Sequence, residues 1–220
     1  MKAIVFDMDG VLFDTERLCM NTWHEMAKER NMEHMDQVAE NSIGRNRVAI
    51  ERVYLDTYGE DFPVAQFLDE SRKRMWESIE QNGLKLMEGV MELLNYLREN
   101  GYRIAIASSS GEPVIERYLG IAGMRQYFDR IVGGNQIKNS KPSPDIYLKA
   151  CEVLGVDPAD TIAVEDSPNG IRSAYRAGMI PVMIPDLIQP DEEIRQMYYK
   201  KYASLTEFRE ALKNNTFYDK

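Results

Sequence analysis

Two aspartates that lie two residues apart directly follow an apolar run near the start of the chain. Asp7 and Asp9 come after KAIVF at residues 2–6, and Gly10 then permits a turn. The two-residue period of a strand places both carboxylates on the same side. Like charges at this spacing are unfavourable unless a cation or a shared proton compensates. The pair therefore indicates a cation site at the end of a strand, the alternative being that both aspartates cap a loop.

A second acidic pair follows another apolar run. Glu165 and Asp166 come directly after TIAV at residues 161–164, and Ser167-Pro168 then begins a helical pattern. Adjacent carboxylates suit a hard divalent cation, which prefers oxygen ligands. For Asp166 or Ser167 taken alone, a helix cap is the competing interpretation.

A cluster of serines follows a third apolar run. Ser108, Ser109 and Ser110 come after RIAIA at residues 103–107. Hydroxyls and backbone N–H groups at the start of a helix make a suitable anion site. Ser110 has the equally good alternative of capping that helix.

A single lysine lies in the segment KPSPD, which begins at Lys141. Ser143 can cap a helix whose first position is Pro144, and this explains the segment apart from its lysine. Lys141 is then a cation held by a rigid turn beside the positive end of a helix. The alternative is a solvated surface lysine.

The elements that position these residues alternate between buried strands and amphipathic helices. The apolar runs occupy residues 2–6, 103–107, 131–132, 161–164 and 180–184, and they read as strands buried on both faces. Helical spacing relates Val90, Leu93, Leu94 and Leu97, and again Tyr147, Ala150, Cys151 and Leu154. This order predicts an α/β protein with a doubly wound, Rossmann-like parallel sheet, in which all four polar clusters meet at the carboxyl edge.

One stretch interrupts the alternation. Residues 16–83 contain successive helical patterns and no convincing strand, and they are too long for a simple crossover. We predict an all-helical cap domain at 16–83, inserted into a core domain formed by residues 1–15 and 84–220.

Composition narrows the classes of function. The 220 residues are 44% hydrophobic and 29% charged, as in a globular protein, and carry a formal net charge of -9. This charge disfavours binding to nucleic acid or an anionic membrane, and a phosphorylated substrate would need local positive charge. Cys19 and Cys151 form no CxxC motif and read as reduced thiols. No signal peptide or membrane span is indicated, so we expect a cytoplasmic protein, with a monomer as the default oligomeric state.

Four segments together carry a resemblance to a known family. They are DMDGV at residues 7–11, SSS at 108–110, KPSPDIY at 141–147 and VEDSPNGI at 164–171. In this order the chain resembles the haloacid dehalogenase superfamily of phosphohydrolases, in the subgroup of β-phosphoglucomutase and the sugar-phosphate phosphatases. The resemblance covers nearly the whole chain and is loose over the cap.

The resemblance implies a catalytic role for the first motif and a Mg²⁺ site. Asp7 would be the nucleophile that forms an aspartyl-phosphate, and Asp9 the general acid and base. Asp7, the backbone carbonyl of Asp9 and Asp166 would hold Mg²⁺, with Glu165 acting directly or through water.

The other two motifs would bind the transferring phosphoryl group. The resemblance implies that Ser108 and Lys141 contact its oxygens through their side chains, and that Ser109 contacts them through its backbone N–H.

The resemblance leaves the acceptor of the phosphoryl group open between water and a sugar. The mutase histidine that follows the Asp14-Thr15 position is replaced by Cys19, which favours a phosphatase of small phosphorylated metabolites such as sugar phosphates. His24, further along, reads as a surface or packing residue. Arg47, in Gly44-Arg45-Asn46-Arg47, aligns with an arginine that grips a distal phosphate, which favours a phosphomutase, unless it only occupies a solvated helical turn. A metabolite-binding protein without catalysis is the third hypothesis.

Overall fold

The computed structural model describes residues 3–43 and 47–217. Lys2, with which the first predicted strand begins, and the Gly44-Arg45-Asn46 segment before Arg47 lie outside the described residues. The chain forms two compact units, and it passes from one to the other after Phe13 and again after Lys85.

The unit from Asp14 to Lys85 is built from helices. Its helices are α1 (Thr15–Glu29), α2 (Met35–Ser42), α3 (Arg47–Tyr58) and α4 (Val64–Asn82). An aromatic cluster centred on the fully buried Tyr54 packs against Trp23 and Phe67 in the core of this unit. Burial of each such side chain contributes roughly 1.5–3 kcal/mol, so this unit has a hydrophobic core of its own.

The other unit contains a parallel sheet, six-stranded over the described residues. Its strands are β1 (Ala3–Phe6), β2 (Arg103–Ser108), β3 (Arg130–Gly133), β4 (Thr161–Glu165), β5 (Ile180–Met183) and β6 (Lys200–Lys201). Their spatial order is β3-β2-β1-β4-β5-β6. The chain moves outward from β1 in one direction and returns to β4 to build the other half, so the order reverses between β1 and β4. The doubly wound α/β prediction is confirmed.

Helices cover both faces of this sheet. They are α5 (Val90–Glu99), α6 (Glu112–Ile121), α7 (Asp145–Leu154), α8 (Pro168–Arg176), α9 (Glu192–Arg195) and α10 (Leu205–Lys213). Adjacent residues of a strand face opposite sides, and Ile4 and Val5 of β1 are both fully buried. The two predicted apolar helix faces, on α5 and α7, are buried throughout.

The strand register brings the polar clusters to one edge. Phe6, the last residue of β1, pairs with Ile106 on one side and with Val164 on the other. Because all the strands run in parallel, the residues that follow Phe6 and Val164 emerge at the same carboxyl edge. This edge is where an open α/β sheet binds ligands.

One strand is missing from the sequence-based prediction. Strand β6 is short and polar, so no apolar run indicates it in the sequence. Cys19 and Cys151 are both in the reduced thiol form, as predicted. Among the described residues, no helix is both long and apolar enough to cross a bilayer.

Candidate active site

Asp7 follows β1 and is held at the switch point of the sheet. Its backbone N–H donates to the carbonyl oxygen of Val164 at 2.9 Å, which continues the β1–β4 ladder by one residue. The residue is 8% exposed. The strand therefore presents one nearly buried carboxylate at its end.

Gly10 closes the turn after the first acidic pair. Its φ of +78° favours glycine, and a Cβ atom there would lie only 2.4 Å from Oδ2 of Asp166. The turn therefore packs directly against the carboxylate that follows β4, which explains why the sequence needs glycine at this position.

Three buried acids form a cluster at this edge. Asp7, Glu165 and Asp166 each offer a carboxylate oxygen, and these oxygens lie within 4.8 Å of one another. Such a set provides the hard oxygen ligands that a divalent cation prefers. The cluster also carries more negative charge than Lys141 alone can balance. The residues therefore fit a divalent metal ion, and the structure brings together the carboxylates of three of the four residues predicted for the metal site.

Lys141 lies inside the site and is not a solvated surface lysine. Its Nζ donates to Oδ1 of Asp7, to the carbonyl oxygen of Ala107 at 3.1 Å and to Oε1 of Glu165 at 2.7 Å. Its side chain is 8% exposed. An ammonium has three protons, so each has an acceptor in the protein.

The loop that carries Lys141 is fixed by bonds to α8. Arg176 donates to the carbonyl oxygen of Pro142 at 2.9 Å, and the Ser173 hydroxyl donates to the carbonyl oxygen of Ser143 at 2.5 Å. The prediction that Ser143 caps a helix starting at Pro144 is wrong. Helix α7 begins at Asp145, and the Ser143 hydroxyl donates to the carboxylate of that residue instead.

Glu165 is fully buried and held by three donors. Its Oε1 accepts from Lys141 and from the Tyr147 hydroxyl at 2.6 Å, and its Oε2 accepts from the Ser167 hydroxyl at 3.2 Å. Ser167 also caps α8 by accepting from the N–H of Gly170 at 3.1 Å. Ser167 is thus both a helix cap and part of the site.

Asp9 accepts bonds from the serine loop that follows β2. The hydroxyls of Ser108 and Ser110 both donate to Oδ2 of Asp9 at 3.3 Å. The alternative that Ser110 caps a helix is wrong, because the residue before α6 is Gly111. Ser108 is fully buried, whereas Ser109 is exposed.

The charges of the site shift the pKa values of its groups. Burial, together with the charges of Glu165 and Asp9, raises the pKa of Asp7 to about 8 against the opposing effect of Lys141. For Lys141, burial lowers the pKa, but Asp7 and Glu165 outweigh it and the net shift is upward. A further positive charge close to Asp7 would lower its pKa and favour its ionised form.

Residues 4–184 match the haloacid dehalogenase-like hydrolase family. The chain belongs to this family. The hydrolase is 31% identical over 182 residues to the phosphorylated carbohydrates phosphatase of Thermotoga maritima. The aligned region covers 81% of this chain and 82% of that protein.

Further relatives agree with this assignment. The phosphoglycolate phosphatase of Aquifex aeolicus is 30% identical over 81% of this hydrolase and 82% of its own length. The crystal structure of CbbY from Rhodobacter sphaeroides in complex with phosphate superposes with a TM-score of 0.77 at 26% identity, covering 94% of this chain and 95% of that one. The predicted family and the prediction of a phosphatase-type enzyme are confirmed.

The remaining predicted residues of the hydrolase lie in the helical unit. Arg47 donates to Glu51 at 2.8 Å and to Asp69 at 2.9 Å, so its guanidinium is engaged with two carboxylates of the same unit. Cys19 packs against the core of this unit. The two ring nitrogens of His24 lie 2.7 Å from the Met20 carbonyl oxygen and from an Asp36 carboxylate oxygen, in agreement with a packing role.

Sequence reasoning missed two contacts of the hydrolase site. Tyr147 was assigned to an apolar helix face, and its face is indeed buried, but its hydroxyl binds Glu165. Ser110 was weighed as part of an anion site or as a helix cap, and its bond to Asp9 was not foreseen. The one available signal was that a tyrosine, with a hydroxyl to satisfy, stood on an otherwise apolar face beside the lysine motif.

Proposed function

We propose that this hydrolase is a Mg²⁺-dependent phosphatase of small phosphorylated metabolites, with sugar phosphates as the leading substrate class, and that it acts as a monomer. The observation that carries the proposal is the buried carboxylate of Asp7, set between the Lys141 ammonium and two further buried acids. The names of the Thermotoga and Aquifex relatives support a phosphorylated metabolite as substrate.

The proposed reaction has two displacements at phosphorus. A carboxylate oxygen of Asp7 forms a bond to phosphorus while the bond to the ester oxygen breaks, and Asp9 gives that oxygen its proton. Asp9, now a carboxylate, takes a proton from water, whose oxygen attacks phosphorus and releases Asp7 and inorganic phosphate. The hydroxyl of Ser110 orients the Asp9 carboxylate in this scheme.

The metal site in this proposal consists of Asp7, Asp166 and the backbone carbonyl of Asp9, with Glu165 behind them. Bound Mg²⁺ would neutralise charge on the phosphoryl oxygens and favour the ionised form of Asp7. Oxygen donors of this kind suit Mg²⁺, which also keeps several of its waters.

The phosphoryl oxygens are the proposed partners of Lys141, Ser108 and Ser109. Lys141 is already beside Asp7, so its charge lies next to the atom that attacks. Ser108 would turn its hydroxyl from Asp9 to the phosphoryl group, and the exposed Ser109 would contribute its backbone N–H.

We assign substrate selection to residues 16–83, acting as a cap domain on the core formed by residues 1–15 and 84–220. A cap that closes excludes water and determines which acceptor reaches the aspartyl-phosphate. Arg47 is the proposed contact of this domain with substrate. To bind a distal phosphate, it would have to exchange Glu51 or Asp69 for that phosphate.

Phosphate release from a panel of sugar phosphates, in Mg²⁺ buffer, tests the proposal. We expect release by the wild type, loss of it in EDTA, and a fall of roughly 10⁴-fold in Asp7→Asn, because the nucleophile is gone. Asp61→Asn, at an exposed position of the helical unit, is the matched control and should retain activity. Absence of release from every substrate, or full activity in Asp7→Asn, would falsify the proposal.

A second assay separates the two alternative functions. β-Glucose 1-phosphate with a trace of the bisphosphate should yield free phosphate faster than glucose 6-phosphate, since Cys19 cannot handle protons as an imidazole does. Dominant formation of glucose 6-phosphate would establish a phosphomutase instead. Tight metabolite binding without either product would indicate a binding protein.

A further inference from the structure

Tyr147 is a fully buried side chain at the base of the candidate site. It lies in the first turn of α7, six residues after Lys141, and its hydroxyl reaches across to Glu165 at the end of β4. None of the roles assigned above uses this hydroxyl. A buried tyrosine hydroxyl commonly has a hydrogen-bond partner, and here the partner is a carboxylate of the site.

The bond from Tyr147 completes the coordination of one carboxylate oxygen. Oε1 of Glu165 accepts from the Tyr147 hydroxyl at 2.6 Å and from Lys141 at 2.7 Å. A carboxylate oxygen accepts about two bonds in its plane, so both acceptor sites of Oε1 are taken. The other oxygen, Oε2, accepts one bond, from the Ser167 hydroxyl at 3.2 Å, and so retains one acceptor site.

The ring of Tyr147 also contacts the lysine. Nζ of Lys141 lies 5.1 Å from the ring centroid, within the range of a cation–π interaction. The same side chain therefore touches Lys141 with its ring and the acceptor of Lys141 with its hydroxyl. Tyr147 thus contacts the ammonium through its ring and holds Glu165, a second partner of the ammonium, through its hydroxyl.

Backbone packing leaves Glu165 little room to adjust. A Cβ atom on Gly170 would lie 1.8 Å from Cδ of Glu165, which means that the N-terminal turn of α8 lies directly against the carboxylate. The helix backbone limits the carboxylate on one side, and the bonds from Tyr147 and Ser167 fix its rotation about the Cγ–Cδ bond. This rotation points Oε1 at Lys141.

From this geometry we propose that Tyr147 is a positioning residue, which orients Glu165 and through it holds the Lys141 ammonium against Asp7. The inference deepens the proposed function and rests on it. The hydroxyl touches no reacting atom in this arrangement, so its effect is on the geometry of the transition state and not on the affinity for substrate.

Tyr147→Phe tests the inference because it removes the hydroxyl and keeps the ring. We expect kcat for phosphate release to fall on the order of 10-fold, as for other groups that orient the residues of a site, with little change in KM. Tyr202→Phe removes a hydroxyl from another buried ring of the same unit and is the matched control, expected to retain wild-type kcat.

A double-mutant cycle identifies Glu165 as the route of the effect. In a Glu165→Ala background Tyr147→Phe should have no further effect on kcat, because the acceptor is already absent. An equal effect of Tyr147→Phe in both backgrounds would show a merely structural role and overturn the inference. Should Glu165→Ala fail to fold, Glu165→Gln supplies the same comparison, with a reduced effect of Tyr147→Phe expected.

The outcomes distinguish this inference from the proposed function. Release by the wild type together with unchanged kcat in Tyr147→Phe overturns the inference alone. No release by the wild type overturns the proposed function, and the inference falls with it.

Discussion

Asp7 shows how burial and neighbouring charges act on a single carboxylate. It lies among Glu165, Asp166 and Lys141, so desolvation and repulsion oppose its ionised form while one ammonium supports it. The net effect is a pKa of about 8. The nucleophile proposed above must be ionised near neutral pH, so in that role Asp7 needs a cation besides Lys141.

The raised pKa of Asp7 predicts a pH-dependent stability in metal-free protein. Between its ordinary pKa of 3.8 and about 8, the unfolded chain loses the proton while the folded chain keeps it. The folded state binds more protons in this window, so the contribution of Asp7 to the unfolding free energy falls as the pH rises. Asp7→Asn lacks this contribution and should gain stability relative to wild type from about pH 4 to about pH 8.

Thermal unfolding in EDTA across this pH range measures the difference between the two proteins. Added Mg²⁺ should raise the midpoint of the wild type more than that of Asp7→Asn, because the proposed site binds the ion in the folded state through this carboxylate. A difference in midpoint that does not change with pH would contradict the assignment.

At the scale of elements, the start of α8 is fitted to the end of β4. Gly170 lies in this helix against the Glu165 carboxylate, with no positive φ that would itself demand glycine. The demand is steric: the site requires a helix turn without a side chain. Gly120, in α6, has no atom within 4 Å of the position of an added Cβ.

Alanine at these two glycines should have opposite effects. Gly170→Ala should lower the unfolding free energy by about 1–3 kcal/mol through overpacking, and reduce turnover because Glu165 must move. Gly120→Ala should be neutral or raise stability by up to about 1 kcal/mol, since alanine favours the helix. Chemical denaturation measures the changes in stability, and phosphate release measures the change in turnover. Equal stability of the two variants would contradict the steric argument, because it would show that the Glu165 carboxylate moves aside at no cost in free energy.

The elements were largely predictable from the sequence, whereas the contacts between distant residues were not. Apolar runs identify β1 to β5 because both faces of those strands are buried, but Lys200–Lys201 is a polar edge pair and gives no such signal. The aspartates, Lys141 and Ser108 were predicted because they follow strands that share one edge. The bond from Tyr147 to Glu165 joins two chain segments whose relative rotation no periodicity encodes.

At the scale of the whole molecule, surface charge and site charge act against anionic substrates. The net charge is -9, and the acids of the site add a local negative field around Lys141. A phosphate ester is therefore repelled at long range and attracted only by the local cations.

Salt should consequently accelerate the capture of substrate. With free Mg²⁺ held constant, raising NaCl from about 10 to about 150 mM shortens the Debye length from roughly 30 to 8 Å. We expect kcat/KM for a sugar phosphate to rise over this range, because the long-range repulsion is screened before the contacts at the site. A steep fall of kcat/KM would show that a positive surface guides the substrate instead.

The two passages of the chain between its units lie side by side. Phe13 pairs with Leu86 in the sheet-containing unit, and the Asp14 N–H donates to the Lys85 carbonyl oxygen at 3.0 Å in the helical unit. The Asp14 carboxylate also accepts from the Lys85 ammonium at 2.6 Å. In each unit, therefore, the residue at which the chain enters and the residue at which it leaves are paired with each other within that unit. Under the division of roles proposed above, a gene segment encoding the helical unit could be replaced by one of different length while the sheet keeps its register, which offers a direct route to new substrates from unchanged chemistry.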